Sequence, residues 1–394
     1  MIAASTIFDR VDIAITMPRI GNVDYWSPPD HCRFTNPRPG GWMTTNIACL
    51  GASILTGKSL NYSYGVVNRI NPRGRLPSQK YDLAIFDTIR TAYLANSVNS
   101  EAKILHLEDV LSDRYARESE LSSGQIFGAA SDRVPLGRYI KGPIVPRLYN
   151  REARKLYMDE ISSSSSFDLV TLSSPEEART WSSRFRRTQV RWAPIATPTA
   201  SRLSNQGRKN ERKQSSLARK LVFLGTLSYH PNVRSLDRVI LEIFPHIRRL
   251  YPELKLEVVG ACLPSIQTAR QGEDVVFHGY VDDLEPFLNQ TSCLIMPSSE
   301  PGGIKVKLIE ALLAGSTVLT DPDIATATGL LGKSDSLVEC RCVEEYVAAV
   351  TDFMSSDPDE LAILAAQSSK TTSDIYGEEA VRSRLSDLIL EAIS

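Results

Sequence analysis

The sequence predicts two α/β domains, each built on a mostly parallel, doubly wound sheet. Three observations carry this. The chain has 394 residues, enough for two domains that each bury a core. Short apolar runs alternate with helical patterns, most clearly after residue 220, in the βαβα order of a parallel sheet. Charge also breaks sharply along the chain. Residues 1–200 carry 25 Lys and Arg against 19 Asp and Glu, residues 201–220 carry 7 against 1, and residues 221–394 carry 13 against 26.

The elements follow in order. In the first half, 12–16 (DIAIT), 82–86 (DLAIF), 103–110 and 169–172 read as strands. Helical patterns lie between them, over 42–55 and 149–161. The stretch 201–220, SRLSNQGRKNERKQSSLARK, is polar, basic and nearly free of large apolar residues, which is the composition of a linker. In the second half, 221–224 (LVFL) is a strand ending at Gly225, and 232–250 is helical with an interruption at Pro245. Strands follow at 254–259, ending at Gly260, at 275–278, ending at Gly279, and at 293–296. A helix over 306–314 precedes a strand at 317–320, and 374–394 reads as a terminal helix.

Composition sets bounds on function. Apolar residues make up 42% and charged residues 23%, as in ordinary soluble globular chains. No apolar run approaches the ~20 residues of a membrane span, and the start, MIAASTIFDRVDIAI, is acidic where a signal peptide is basic. A cytoplasmic location is expected. The six cysteines (Cys32, Cys49, Cys262, Cys293, Cys340, Cys342) are sparse and read as buried free thiols.

The chemistry concentrates after the 293–296 strand, in Pro297-Ser-Ser-Glu-Pro-Gly302-Gly303 and the helix that follows. Parallel sheets bind ligands beyond the carboxyl ends of their strands. Gly302 and Gly303 allow close backbone approach, and a helix N-terminus near Ile304 favours an anion. Lys305 and Lys307 in the first turn repel the helix dipole unless an anion is present. Val306, Ile309 and Leu313 form the expected buried stripe, and Glu310 lies one turn from Lys307. A surface helix with a Lys–Glu pair explains these residues equally well when they are taken alone.

Three segments alter that balance: LVFLGTLSYHPNV (221–233), FHGYVDDLEPFL (277–288) and PGGIKVKLIEALLAGSTVL (301–319). Residues 221–330 resemble the nucleotide-binding half of the retaining GT-B glycosyltransferases, family 4 type. The resemblance implies two Rossmann-like domains facing across a cleft: an acceptor-side domain over 1–200, a linker over 201–220, a nucleotide-sugar domain over 221–373, and a helix over 374–394 returning to the first domain. It implies a hexosyltransferase-like enzyme that takes a nucleotide-diphospho-sugar as donor substrate, with no separate cofactor and no metal. Lys305 and Lys307 would neutralise the diphosphate beside Gly302 and Gly303. Glu310 would bind the ribose, and the turn with Tyr280 and Val281 would border the base. Gly225, His230 and Asn232 would line the cleft, although His230 reads equally as a structural loop residue. The family often has a glutamate seven residues before the ribose-binding one. Gly303 stands at that position here, with Glu300 three residues out of register. The Asp321-Pro-Asp323 string lacks a second ligand cluster and is read against metal binding.

The first half matches more thinly. KILHLEDVLS (103–112) resembles a segment that follows an N-domain strand in some members. It places Asp109, then Glu108, near the sugar or acceptor, with His106 on the same strand face as Glu108; capping of the strand end explains both acids as well. Gly21, Gly40 and Gly41 read as turns or as a loop meeting the donor. The basic stretch 138–155 reads as a solvated helix face, with contact to an anionic membrane or a lipid-linked acceptor as the alternative. The acceptor class stays open among saccharides, lipid-linked saccharides and small molecules. A non-catalytic GT-B-like subunit, a nucleotide-sugar epimerase and a DNA-modifying transferase remain competing readings, with nucleic acid the least favoured partner.

Overall fold

The computed structural model describes residues 7–8, 11–14, 32–35, 42–63, 79–121, 144–185, 188–197, 218–297 and 302–394. The expectations for 201–217, Gly21, Gly40, Gly41, Arg138, Lys141, Cys32's side chain and Glu300 fall outside the described residues. The described chain divides into two compact units. The first lies within 1–119, 147–194 and 382–394, and the second within 120–146 and 195–381.

The first unit opens with β1 (Val11–Ala14) and β2 (Cys32–Thr35), a parallel pair, followed by α1 (Trp42–Thr56). Its main sheet is parallel throughout, in the order β3 (Tyr81–Asp87), β4 (Ser100–His106), β5 (Leu169–Leu172), β6 (Gln189–Trp192). Helices α2 (Leu111–Leu121) and α3 (Ile144–Ser164) connect β4 to β5, and α4 (Pro175–Ser182) connects β5 to β6. The core packs Phe86, Leu105, Leu156, Val170, Leu172 and Trp181 together. Two sequence expectations are corrected here. The strand expected over 103–110 ends at His106, and 107–110 is a turn. Glu108 therefore shares no strand face with His106, because its backbone turns into the left-handed region at φ 60°. Edge strand β6 was not expected, since its four residues, QVRW, are half-exposed and give little apolar periodicity.

The second unit contains β7 (Lys220–Leu224), α5 (His230–Arg238), a π turn over Val239–Ile243, α6 (Phe244–Leu250), β8 (Leu256–Val259), α7 (Pro264–Arg270), β9 (Val275–Gly279) and β10 (Ser292–Met296). Then come α8 (Val306–Leu313), β11 (Thr317–Thr320), α9 (Pro322–Ala327), β12 (Leu337–Glu339), α10 (Val343–Ser355) and α11 (Pro358–Tyr376). The parallel sheet runs β12-β11-β10-β7-β8-β9. From central β7 the chain winds outward through β8 and β9, then returns beside β7 as β10 and winds the other way. The β7–β10 junction is thus the switch point where such sheets leave a crevice.

The π turn answers the interruption expected at Pro245. Pro245 has no N–H for an α-helical bond to Leu241, so the helix loosens and restarts at Phe244, with proline in the first turn. The core gathers Leu221, Phe223, Leu236, Ile243, Leu256 and Ile295; each fully buried aliphatic or aromatic side chain contributes about 1.5–3 kcal/mol. Helix α8 packs on α11, and Gly315 (φ 84°) turns the chain so tightly that a Cβ there would lie 3.2 Å from the Ala365 Cβ.

The final helix, α12 (Glu378–Ile393), starts later than the expected 374, because Asp374–Tyr376 complete α11. The break falls at Gly377, where a Cβ would lie 2.3 Å from the Ser373 carbonyl oxygen. Leu385, Leu388 and Ala392 of α12 pack against Leu83, Ile104, Leu169 and Ala193, and Glu391 pairs with Arg191 at 2.7 Å. Among the cysteines, Cys49, Cys293 and Cys340 are buried free thiols. Cys262 is half-buried, and Cys342, at the start of α10, is exposed. Among the described residues no helix is long and apolar enough to cross a membrane.

Candidate functional site

In the second unit the site residues gather where β7 ends. Asn232 stands in the first turn of α5, two residues after His230, with Pro231 at a position that needs no N–H donor. Its Nδ2 donates to the Thr226 carbonyl at 2.9 Å. The amide rests on the bare Cα of Gly225: a Cβ there would meet Asn232 side-chain atoms at 3.0–3.3 Å. Lys307, in the first turn of α8, reaches across the switch point. Its Nζ donates to the Leu224 carbonyl at 2.9 Å and to Asn232 Oδ1 at 3.2 Å, and it lies 5.4 Å from the centre of the Phe223 ring. Burial, together with the Lys305 charge, pushes Lys307 down to about 7.

Lys305 is less advanced than expected. Helix α8 begins at Val306 rather than near Ile304, so Lys305 is its N-cap, and its Nζ donates back to the Gly302 carbonyl at 3.0 Å. Gly302 (φ 102°) and Gly303 (φ 62°) occupy backbone conformations that side chains resist, so glycine is needed to deliver the chain into α8. Val306 is 42% exposed and leaves the expected stripe. The helix is covered on more than one side by β11 and α11, so Leu308, Ile309, Ala311, Leu312 and Leu313 are buried instead. Glu310 is half-buried one turn beyond Lys307.

A second glycine system supports this corner. Gly225 N donates to Val259 O at 2.9 Å, and Gly260 N donates to Gly279 O at 2.8 Å. The ends of β7, β8 and β9 are thereby laced together, and beyond Gly279 Tyr280 stands 68% exposed with Val281 half-buried. Gly260 was legible only as a strand end, because its role depends on a neighbour 35 residues away. His230 faces its own helix, with Arg234 Nη1 donating to its Nδ1 at 3.4 Å. Asp321 is engaged structurally: Arg238 Nη1 donates to both its oxygens at 3.0 and 2.9 Å, and the buried Tyr346 hydroxyl donates to it at 3.1 Å.

In the first unit, the carboxyl ends of β3 and β4 hold the acids. Asp87 ends β3 opposite His106, and Thr88 N donates to the His106 carbonyl at 2.7 Å. Thr88 and Glu108 both adopt left-handed backbone conformations, at φ 61° and 60°, which is a costly arrangement for non-glycine residues. Burial and the Asp87 charge raise the Glu108 carboxyl above its usual range; burial likewise raises Asp87, against the pull of Arg90. His106 is lowered by burial, and its Nδ1 lies 2.9 Å from Thr171 Oγ1. Asp109 turns away to Arg114, 2.6 Å from its Nη1. The next turn is anchored from below by buried Glu160, which accepts from Ser112 Oγ at 2.5 Å and Ser112 N at 3.2 Å. Sequence reading missed Asp87, which lies sixteen residues before Lys103, the start of the motif.

The basic stretch separates into two roles. Arg147, Arg151 and Arg154 are exposed on α3, whereas Lys155 donates to Ser53 O, Ser53 Oγ and Lys58 O, each at 3.1 Å.

Residues 218–356 match the family described as glycosyl transferases group 1. No curated protein matches the chain. Among solved structures, the chain is similar to sucrose-phosphate synthase from Thermosynechococcus elongatus, with 14% identity over 99% of this chain and 90% of that one and a TM-score of 0.61. It is also similar to the E. coli trehalose-6-phosphate protein bound with UDP-2-fluoro glucose, with 10% identity, 98% and 94% coverage and a TM-score of 0.59. WaaG, a glycosyltransferase involved in lipopolysaccharide biosynthesis, gives 14% identity, 98% and 93% coverage and a TM-score of 0.54.

Proposed function

We propose that this chain, a GT-B glycosyltransferase whose residues 218–356 form a glycosyl transferases group 1 domain, moves a hexosyl group from a nucleotide-diphospho-sugar to a hydroxyl acceptor with retention and without a metal. The observation that carries the reading is Lys307, drawn across the β7–β10 switch point at the start of α8 and met there by neutral acceptors. A diphosphate supplies the charge that this position lacks. The helix N-terminus and Lys305 add to the same attraction, and Glu310 one turn on suits two ribose hydroxyls. Tyr280 and Val281 border the base. The departing nucleotide gains negative charge as the glycosidic bond breaks, so Lys307 acts where charge develops. The acceptor is a saccharide, a lipid-linked saccharide or a small molecule.

A thermal-shift series with UDP-, GDP-, ADP- and dTDP-sugars tests this. One donor at 100 times its Kd is expected to stabilise the protein by about 2.7 kcal/mol. No shift with any of them sinks the reading.

On the acceptor side the order of the two acids reverses. Asp109 is neutralised by Arg114, whereas Glu108 carries the raised carboxyl and the strained backbone. Glu108→Gln is therefore expected to lower kcat roughly 100-fold, the usual scale for a positioned proton-transfer group, with Asp109→Asn changing it far less. Equal losses in the two variants, measured by donor turnover, would return both residues to a structural role.

A further inference from the structure

We infer that Asn232 holds Lys307 as an uncompensated amine, so that a donor diphosphate binds with uptake of a proton at Lys307. The inference rests on the donor-site reading and adds a proton to it. Asn232 presents one atom to Lys307 and cannot turn: Nδ2 donates to the Thr226 carbonyl, so Oδ1 is the atom left for the ammonium. Gly225 leaves the space the amide fills. An aspartate would fit the same space and supply a charge, yet the residue is the neutral isostere.

The other acceptor, Leu224 O, is also neutral, and the Phe223 ring closes one side. Among the described residues no carboxylate lies within ion-pair distance of Lys307. Of the charged groups on the elements meeting here, Lys305 adds like charge. Glu310 lies one turn along α8, and His230 and Arg234 of α5 contact each other. Free Lys307, pushed down to about 7, is mostly neutral in mildly alkaline solution. A diphosphate beside it restores the ammonium, so the complex holds a proton that the free protein has lost. Affinity is complete below pH 7 and falls as pH rises above it.

Titration calorimetry with UDP, GDP, ADP and dTDP, in HEPES and in Tris at pH 7.5 and 8.5, reads this directly. Both pH values lie above the titration of a terminal phosphate, near pH 6. The tightest probe is expected to take up about 0.8 proton at pH 7.5 and about one at pH 8.5, with Kd rising about eightfold between them. Lys307→Arg, whose guanidinium does not titrate, is expected to bind with uptake near zero. Asn232→Asp is expected to lose the uptake too, with Kd at least tenfold weaker. Binding with an enthalpy independent of buffer, or wild-type uptake persisting in both variants, overturns the proton inference and leaves the donor site standing. Failure of all four probes to bind overturns the donor site itself.

Discussion

Lys307→Ala is expected to lower kcat for donor turnover by about two to three orders of magnitude while leaving the chain folded. The scale is that of removing one preorganised donor from a site of developing charge. Fold retention follows from the energetics of the apo site. Lys307 is a basic group whose charge burial disfavours, held by a carbonyl and an amide, so its removal relieves a burial cost even as it loses two hydrogen bonds. Stability and activity should therefore separate: the urea midpoint changes little and turnover collapses. Lys305→Ala is the internal comparison. Its ammonium is committed to the Gly302 carbonyl at the N-cap, so the loss should be smaller and should fall partly on the loop. Steady-state kinetics on both variants, with the donor found by thermal shift, decides it; equal losses would show that the two lysines act as one cation cluster.

The second large effect lies behind the donor corner. Gly260→Ala is expected to destabilise the protein by roughly 3–5 kcal/mol, the range reached when backbone strain and a clash combine. Gly260 has φ 134°, and an added Cβ would stand 2.2 Å from Gly225 O and 2.7 Å from Gly225 C. Both are backbone atoms, so no rotamer relieves the contact and the ends of β7 and β8 must separate. That movement strains the Gly225 N–Val259 O and Leu227 N–Ala261 O bonds, at 2.9 and 2.7 Å. It also displaces Gly225, on which the Asn232 amide rests, so donor affinity should fall with stability. Gly272→Ala, where an added Cβ meets nothing within 4 Å, is expected to stay within about 1 kcal/mol. Urea denaturation of the two variants gives the answer, and similar midpoints would remove the close approach as a constraint.

Much of the second unit was legible in the chain, because β7 and β10 are buried on both faces and hold continuous apolar runs, and β7, β8 and β9 each close on a glycine. The same pattern located α8 and its two glycines. The first unit was harder: β2 and β6 have four residues each, and β4 merged in the sequence with 107–110 after it, where the apolar Leu107 and Val110 extend the strand pattern. Periodicity reports which face of an element is buried. It carries no record of which distant backbone the element meets.

The sequence by itself determined that the chain is α/β and that its second half is a doubly wound parallel sheet, and it marked Gly302 to Glu310 as the candidate anion site. Only the tertiary structure separated Lys305 from Lys307. One cation folds back on Gly302, while the other crosses to Leu224 and Asn232, 83 and 75 residues away. It likewise gave Gly260 its constraint, paired Asp109 with Arg114, and buried Glu108 enough to raise its carboxyl. The physical reason is common to all three. A side chain's charge state and freedom depend on the partners and solvent around it, and those come from contacts between segments that sequence spacing keeps apart.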